Sequence, residues 1–386
     1  MSKPSTIRSS SGFPPVADAI LRMSPELPNR NAHDPRVTLF PTIGFPLAGG
    51  QVWRVLVQGR ISQDAPASFG KRLMLKGLIR ALELSREEAS SELFGERVDG
   101  FLTSPIAGQR IQVELAGQHY VLRRKSKRSG LFSCKLDLPA KQLRGFKSFG
   151  QILKIDEDSQ ASRSFTPDRQ PHVADSLTAN SISTGCPILL AEESGISVVT
   201  DIDDTIKLTE VTSRRRMLQR TFSIPFEPIE GMAEAYQRWA SQGALFHYVS
   251  SSPWQIYSPL DRFLRSENFP VGSMHLKWFR LRDEIFKRWQ ILRRKSKSGV
   301  IRGLMKRLPN RSFVLIGDSG EKDPEIYAKI ASKFPKQVIR ICIRQIEANP
   351  LDGSRLDAIY RRHGMIVPIQ VFSNAVQLGD VISSQR

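Results

Sequence analysis

The stretch Val198–Leu208, "VVTDIDDTIKL", runs an apolar segment straight into three aspartates within four positions, Asp201, Asp203 and Asp204, followed at once by Thr205. Carboxylates crowded this closely repel and raise one another's pKa, so they call for a positive charge nearby. The apolar lead-in, "GISVVTD", reads as a buried strand with the aspartates at its carboxyl end. The segments around it alternate. "GMAEAYQRWASQG" has helical spacing and a terminal glycine, "ALFHYVS" is a strand, and "WQIYSPLDRFLRSE" is a helix. "GVIRGLMKRLP" is a helix stopped by Pro309, "SFVLIGDS" a strand, "DPEIYAKIASKF" a helix with Pro324 in its first turn, and "QVIRICI" a strand. This rhythm predicts an α/β fold with a parallel sheet and helices on both faces.

In such folds ligands bind at the carboxyl ends of the strands. Three apolar strands end in polar residues there: Asp201, Asp203, Asp204 and Thr205 on the first, Ser250, Ser251 and Ser252 on the second, and Gly317 and Asp318 on the third. Glu321 and Asp323 follow closely. Carboxylates from two strands, Asp201 and Asp318, can converge on one hard cation, and Mg²⁺ prefers oxygen ligands of this kind. Six histidines form neither an HExxH motif nor a close pair, so a zinc site is not supported.

These residues resemble a known family. "DIDDT" fits the DxDxT signature of the haloacid dehalogenase superfamily, and Ser250, a lysine and "GDSGEKD" follow in that superfamily's order. "TDIDDTIK", "HYVSSSPWQIY" and "LIGDSGEKDPEIYA" are similar to the actin-patch-protein family of Mg²⁺-dependent phosphatidate phosphatases over about residues 186–345. "LFPTIGF" and "GGQVWRVLVQGRI" resemble that family's N-terminal part more weakly. The resemblance implies a Rossmann-like parallel sheet of the haloacid dehalogenase type with little or no cap, preceded by a mainly β domain. It also implies hydrolysis of a phosphate monoester, phosphatidate to diacylglycerol, with Mg²⁺ as cofactor. Asp201 is then expected as the nucleophile that forms an aspartyl-phosphate. Asp203 is the acid and base, and Asp201, Asp318 and the backbone carbonyl of Asp203 are the metal ligands. Ser250 is expected to hold a phosphoryl oxygen and Lys297 to neutralise charge. Among several lysines, Lys297 has the spacing of relatives, with Lys295 and Lys287 as fallbacks. Asp323 is expected to orient Lys297 or a metal-bound water, with Thr205 and Ser251 in support. Asp204 stands where the superfamily often has glycine, which implies a turn residue that tolerates replacement.

Composition fits an anionic substrate. The 386 residues carry a net charge of +19, from 57 Lys+Arg against 38 Asp+Glu. Basic bursts fall at Arg123–Arg128, Arg214–Arg216 and Arg293–Lys297, without the interleaved aromatics of a nucleic-acid platform. The expected partners are a phospholipid substrate and an anionic membrane surface, met peripherally; Phe222, Ile224 and Phe226 have two readings, ordinary packing, which is preferred, and dipping into the interface beside Arg214–Arg216. Nucleic-acid termini are the alternative substrate, a non-catalytic anionic-lipid-binding module the remote one, and no protein partner is legible. "GDSG" also matches a protease nucleophile loop around Ser319, but its context lacks that family's flanking residues. Three cysteines, Cys134, Cys186 and Cys342, lie far apart, which excludes a disulfide framework and favours a cytoplasmic setting. The first twenty residues hold no continuous apolar stretch and no uncharged apolar run of about 20 residues occurs, so neither a secretory signal nor a transmembrane helix is expected. The expected division is a flexible basic tail (1–35), a mainly β domain with one helical insertion, built as a sandwich (36–150), a linker (151–185), the phosphatase-like domain (186–350) and a C-terminal extension (351–386).

Overall fold

The computed structural model describes residues 35–47, 49–64, 68–115, 118–143, 152–157, 186–277, 289–364 and 367–380, with backbone alone at 152–157 and 289–296. The expected tail (1–34), most of the linker (158–185) and the side chains of Lys287 and Lys295 lie outside the described residues.

The N-terminal region is built on one nine-stranded sheet. Its strands are β1 (Arg36–Phe40), β2 (Thr42–Pro46), β3 (Val52–Gln63), β4 (Ser104–Pro105), β5 (Gln112–Leu115), β6 (Gln118–Val121), β7 (Leu131–Pro139), β8 (Ile152–Glu157) and β9 (Cys186–Leu190). Through shared pairings the strands join one continuous sheet, and side chains of β3 and β7 share a core with those of β5 and β9. β3 is its spine, pairing antiparallel with β1, β2 and β7. Trp53, Val55 and Val57 of β3 alternate onto one buried face, as the period of a strand requires. β8 was expected inside the linker and β9 at the head of the next domain. Both belong to this sheet, β9 lying parallel to β2 and antiparallel to β8.

Between β3 and β4 the chain forms three helices, Phe69–Leu82, Arg86–Ala89 and Glu92–Leu102. Ser85 and Glu88 make a reciprocal capping box that starts the second, and Ser91 caps the third. Leu75, Leu78, Leu82, Phe94 and Val98 bury their apolar faces in a core shared with Leu218, Phe222 and Ile256 of the C-terminal region. The third helix approaches so closely that a Cβ on Gly100 would lie 2.1 Å from the Gln255 carbonyl oxygen.

The C-terminal region is a six-stranded, all-parallel sheet of β10 (Ile196–Thr200), β11 (Leu245–Pro253), β12 (Gly272–Lys277), β13 (Ser312–Asp318), β14 (Val338–Arg344) and β15 (Ile369–Phe372). The spatial order is β12-β11-β10-β13-β14-β15. Helices on both faces leave β10, β11 and β13 buried along almost their whole length, which explains their near-continuous apolar sequences. Winding reverses between β10 and β13, and the crevice at such a switch point is where α/β sheets bind ligands. The segment after Leu351 is no loose extension: helix Gly353–His363 leads into β15, which pairs with β14. Among the described residues no helix is long and apolar enough to cross a membrane.

Candidate active site

Asp201 follows the last residue of β10, and Asp318 is the last residue of β13, its immediate neighbour in the sheet. Asp323 opens the helix Asp323–Ala331 that follows β13. Carboxylate oxygens of all three lie within 4.8 Å of one another, and all three side chains are buried. Gly317 permits this, since a Cβ there would lie 2.2 Å from Asp323 Oδ2. Lys297, on helix Trp289–Arg307, reaches into the cluster with Nζ 3.1 Å from Asp201 Oδ1 and 2.5 Å from Asp323 Oδ1. The structure therefore brings together four residues singled out in the sequence, from the ends of two strands and from two helices.

The cluster is short of positive charge. Burial, followed by the field of Asp323, Glu321 and Asp203, pushes the Asp201 carboxyl well above the usual range, with Lys297 opposing. Burial and then Asp323, Glu321 and Asp201 do the same to Asp318. Burial alone would lower Lys297, but the carboxylates of Asp201 and Asp323 outweigh it and hold its ammonium charged. Oδ2 of Asp201, Asp318 and Asp323 are buried without a hydrogen-bond partner, as are the hydroxyls of Thr205 and Ser251. Orphaned buried acceptors are costly, and three carboxylate oxygens so arranged fit a hard cation such as Mg²⁺.

Asp203 is in a different environment. Its Oδ2 accepts from Ser250 Oγ (2.9 Å) and Ser252 Oγ (2.8 Å). Its Oδ1 accepts from Thr209 Oγ1 and lies 3.0 Å from Lys207 Nζ. Burial would raise this carboxyl, but Lys207 and the hydrogen bonds of Ser252, Lys207 and Ser250 prevail and hold it well below the usual carboxylate range. Lys207, Thr209 and Ser252 had no role in the reading of the sequence. Lys207 is a lysine inside the buried run "TIKLT", and a wholly buried lysine needs an anionic partner. That was the signal available.

Asp204 sits at φ 54°, the left-handed region that suits a turn and that glycine adopts freely. Its carboxylate is fully engaged, accepting the backbone N–H groups of Thr209, Glu210 and Val211 at 2.6–2.7 Å. Arg344 Nη1 donates to its carbonyl at 2.9 Å. The expectation of easy replacement gives way, because this side chain ties down the loop that follows the motif. Ser319 Oγ accepts the Ile346 N–H at 2.8 Å and acts in the loop's scaffold.

Phe222 and Phe226 of the flap are turned inward, in line with the ordinary packing preferred for them over a membrane face. Phe222 is buried with its ring centroid 5.9 Å from that of Phe101. Phe226 lies edge-on to Phe263 and carries the Arg97 guanidinium 3.2 Å above its centroid, with Lys207 Nζ at 4.7 Å. Packing against the helical layer of the N-terminal region absorbs the apolar surface that the flap alone would expose.

Residues 196–345 match the family model described as phosphatidate phosphatase APP1, catalytic domain. The chain is 28% identical over 296 residues to phosphatidate phosphatase APP1 of Saccharomyces cerevisiae, covering 73% of this chain and 45% of that protein. It is 35% identical over 165 residues to an uncharacterized protein of Schizosaccharomyces pombe, covering 42% of this chain and 26% of that one. The chain thus spans less than half the length of either relative. Among solved structures, the Pnkp1/Rnl/Hen1 complex aligns over 42% of this chain and 55% of that chain at a TM-score of 0.27 and 13% identity, too low to carry an argument. The matched span contains Asp201, Asp203, Ser250, Lys297, Asp318 and Asp323 in one buried constellation, and residues 196–345 are similar to the catalytic domain of the APP1 phosphatidate phosphatases.

Proposed function

We propose that the protein is a Mg²⁺-dependent phosphatidate phosphatase of the haloacid dehalogenase type, working through an aspartyl-phosphate on Asp201. The carrying observation is the buried, cation-short group of Asp201, Asp318 and Asp323 around Lys297, at the switch point of a parallel sheet. Phosphoryl transfer is mostly positioning and charge neutralisation, which suits this composition. Asp201, Asp318 and the backbone carbonyl of Asp203 would hold the ion, which when bound supplies the positive charge that the carboxylates lack.

A carboxylate oxygen of Asp201 attacks phosphorus as the bond to the diacylglycerol oxygen breaks. Lys297 neutralises charge on the phosphoryl oxygens, held in place by Asp323. The orphaned hydroxyls of Thr205 and Ser251, together with Ser250, are available to donate to the same oxygens. Asp203 gives the leaving oxygen its proton, then takes one from the water that cleaves the aspartyl-phosphate. In the resting site its four donors keep it ionised, ready for the second step. An arriving phosphate draws Ser250 away and adds negative charge beside Asp203. Both effects raise its carboxyl and prepare it as the acid of the first step.

The test is phosphate release from phosphatidate by wild type and Asp201→Asn, with and without Mg²⁺. Release by the wild type only, abolished by chelation, is expected. Equal release by Asp201→Asn, or release indifferent to chelation, overturns the proposal.

A further inference from the structure

Away from the acidic cluster, helices Trp289–Arg307, Asp323–Ala331 and Gly353–His363 enclose a cavity of about 820 Å³. Arg302, Lys322, Lys329, Lys333 and Arg362 line its rim and are exposed, while Ile326 and Ile330 form apolar floor. Glu325 is the carboxylate among the lining residues. It is already engaged by Arg355, with Nε to Oε1 at 3.1 Å and Nη2 to Oε2 at 3.3 Å, and sits 3.8 Å from Lys322 Nζ. Among the described residues no carboxylate forms an ion pair with Arg302, Lys329, Lys333 or Arg362. Arg302 has a 3.3 Å hydrogen bond from Nε to the Ser298 carbonyl of its own helix.

Like charges gathered around a concavity repel, and their fields add within it. We propose that this cavity is a second, non-catalytic binding site for a multiply charged phosphate group, presented as the headgroup of an anionic phospholipid in a membrane. The isoleucine floor suits a headgroup with apolar parts. No Phe, Tyr or Trp lines the cavity, and His363 is the one ring among its lining residues, so it lacks the run of aromatic platforms on which successive nucleic-acid bases stack. Ser298 and Lys322 line it and directly follow or precede Lys297 and Asp323 in the chain. A headgroup held there anchors the protein beside the catalytic edge of the sheet. The inference stands apart from the hydrolase proposal, because binding is read without turnover.

The test uses the full chain and the variant Lys329→Gln/Lys333→Gln/Arg362→Gln. Sedimentation with phosphatidylcholine vesicles carrying about a tenth phosphatidylinositol bisphosphate is one arm, and titration with inositol hexakisphosphate is the other. A control variant, Arg123→Gln/Arg124→Gln/Arg128→Gln, removes equal charge from the N-terminal region. The cavity variant is expected to lose about tenfold or more in vesicle binding, and the control under about threefold. Turnover of a monomerically dispersed short-chain phosphatidate stays unchanged in both. Loss of hexakisphosphate binding with vesicle binding intact assigns the cavity to a soluble polyphosphate and overturns the membrane headgroup. Equal losses in the control and the cavity variant, or no loss in either arm, overturns the site itself.

Discussion

The three aspartates of "DIDDT" divide by what surrounds them. Asp201 shares a lysine with Asp323 and keeps an unpartnered oxygen, Asp203 is saturated with donors, and Asp204 is bound to backbone. Asp204→Ala leaves one buried and two half-buried backbone N–H groups without their acceptor and is expected to cost about 3 kcal/mol, read as a lowered denaturation midpoint. A midpoint within error of wild type contradicts this role. Lys207→Met removes the charge that lowers Asp203. The Asp203 carboxyl then rises, so the alkaline limb of the kcat/KM profile, where Asp203 loses the proton it gives the leaving oxygen, moves to higher pH, while Lys207→Arg brings it part of the way back. An alkaline limb that stays in place contradicts the assignment. The residue types at the strand tips were legible in the sequence because chemistry restricts them. The partners Lys207, Thr209 and Ser252 were not, since a lysine or serine in a loop carries no mark of where its side chain folds back.

The strands place the chemistry, and their interior adds a pH dependence of its own. His247 of β11 is fully buried, with Nδ1 2.7 Å from Ser273 Oγ and Nε2 3.2 Å from Ser197 Oγ. Burial, then His275 and Arg311, hold its imidazole well below the ordinary 6.5. Burial, then Arg307, pushes His275 down to about 4. Both are neutral in the fold and take up protons when unfolded. Stability is therefore full above about pH 6.5 and falls as the pH drops towards about 4. The urea midpoint should decline across that window, and a flat midpoint contradicts it. The third helix of the N-terminal region makes a steric prediction. Gly100→Ala drives a methyl into the Gln255 backbone and is expected to cost roughly 1–3 kcal/mol, checked by thermal melting. The parallel strands were legible because both faces are covered and their apolar runs are continuous. β8 was not, because "ILKIDE" is short and stands among polar residues, and its place comes from pairing with distant β5 and β9.

At the scale of the molecule, the two regions are packed together rather than strung in series. One apolar core joins the helices after β3 to the flap helix Arg214–Phe222 and the turn after β11. Another joins Ile43, Phe45 and Leu56 to the helices behind the parallel sheet. Long-range packing of this kind leaves little periodic trace, so the sequence predicted domains in a row and left the C-terminal strand outside the sheet. The central claim is that Asp201 carries the phosphoryl group between substrate and water. Acid-quenching the protein with phosphatidate labelled on its phosphate tests it most directly. The expected result is label bound to wild-type protein as an acid-stable, alkali-labile adduct that maps to Asp201 and is absent from Asp201→Asn. Label retained by Asp201→Asn, or mapped to Ser250, would contradict it.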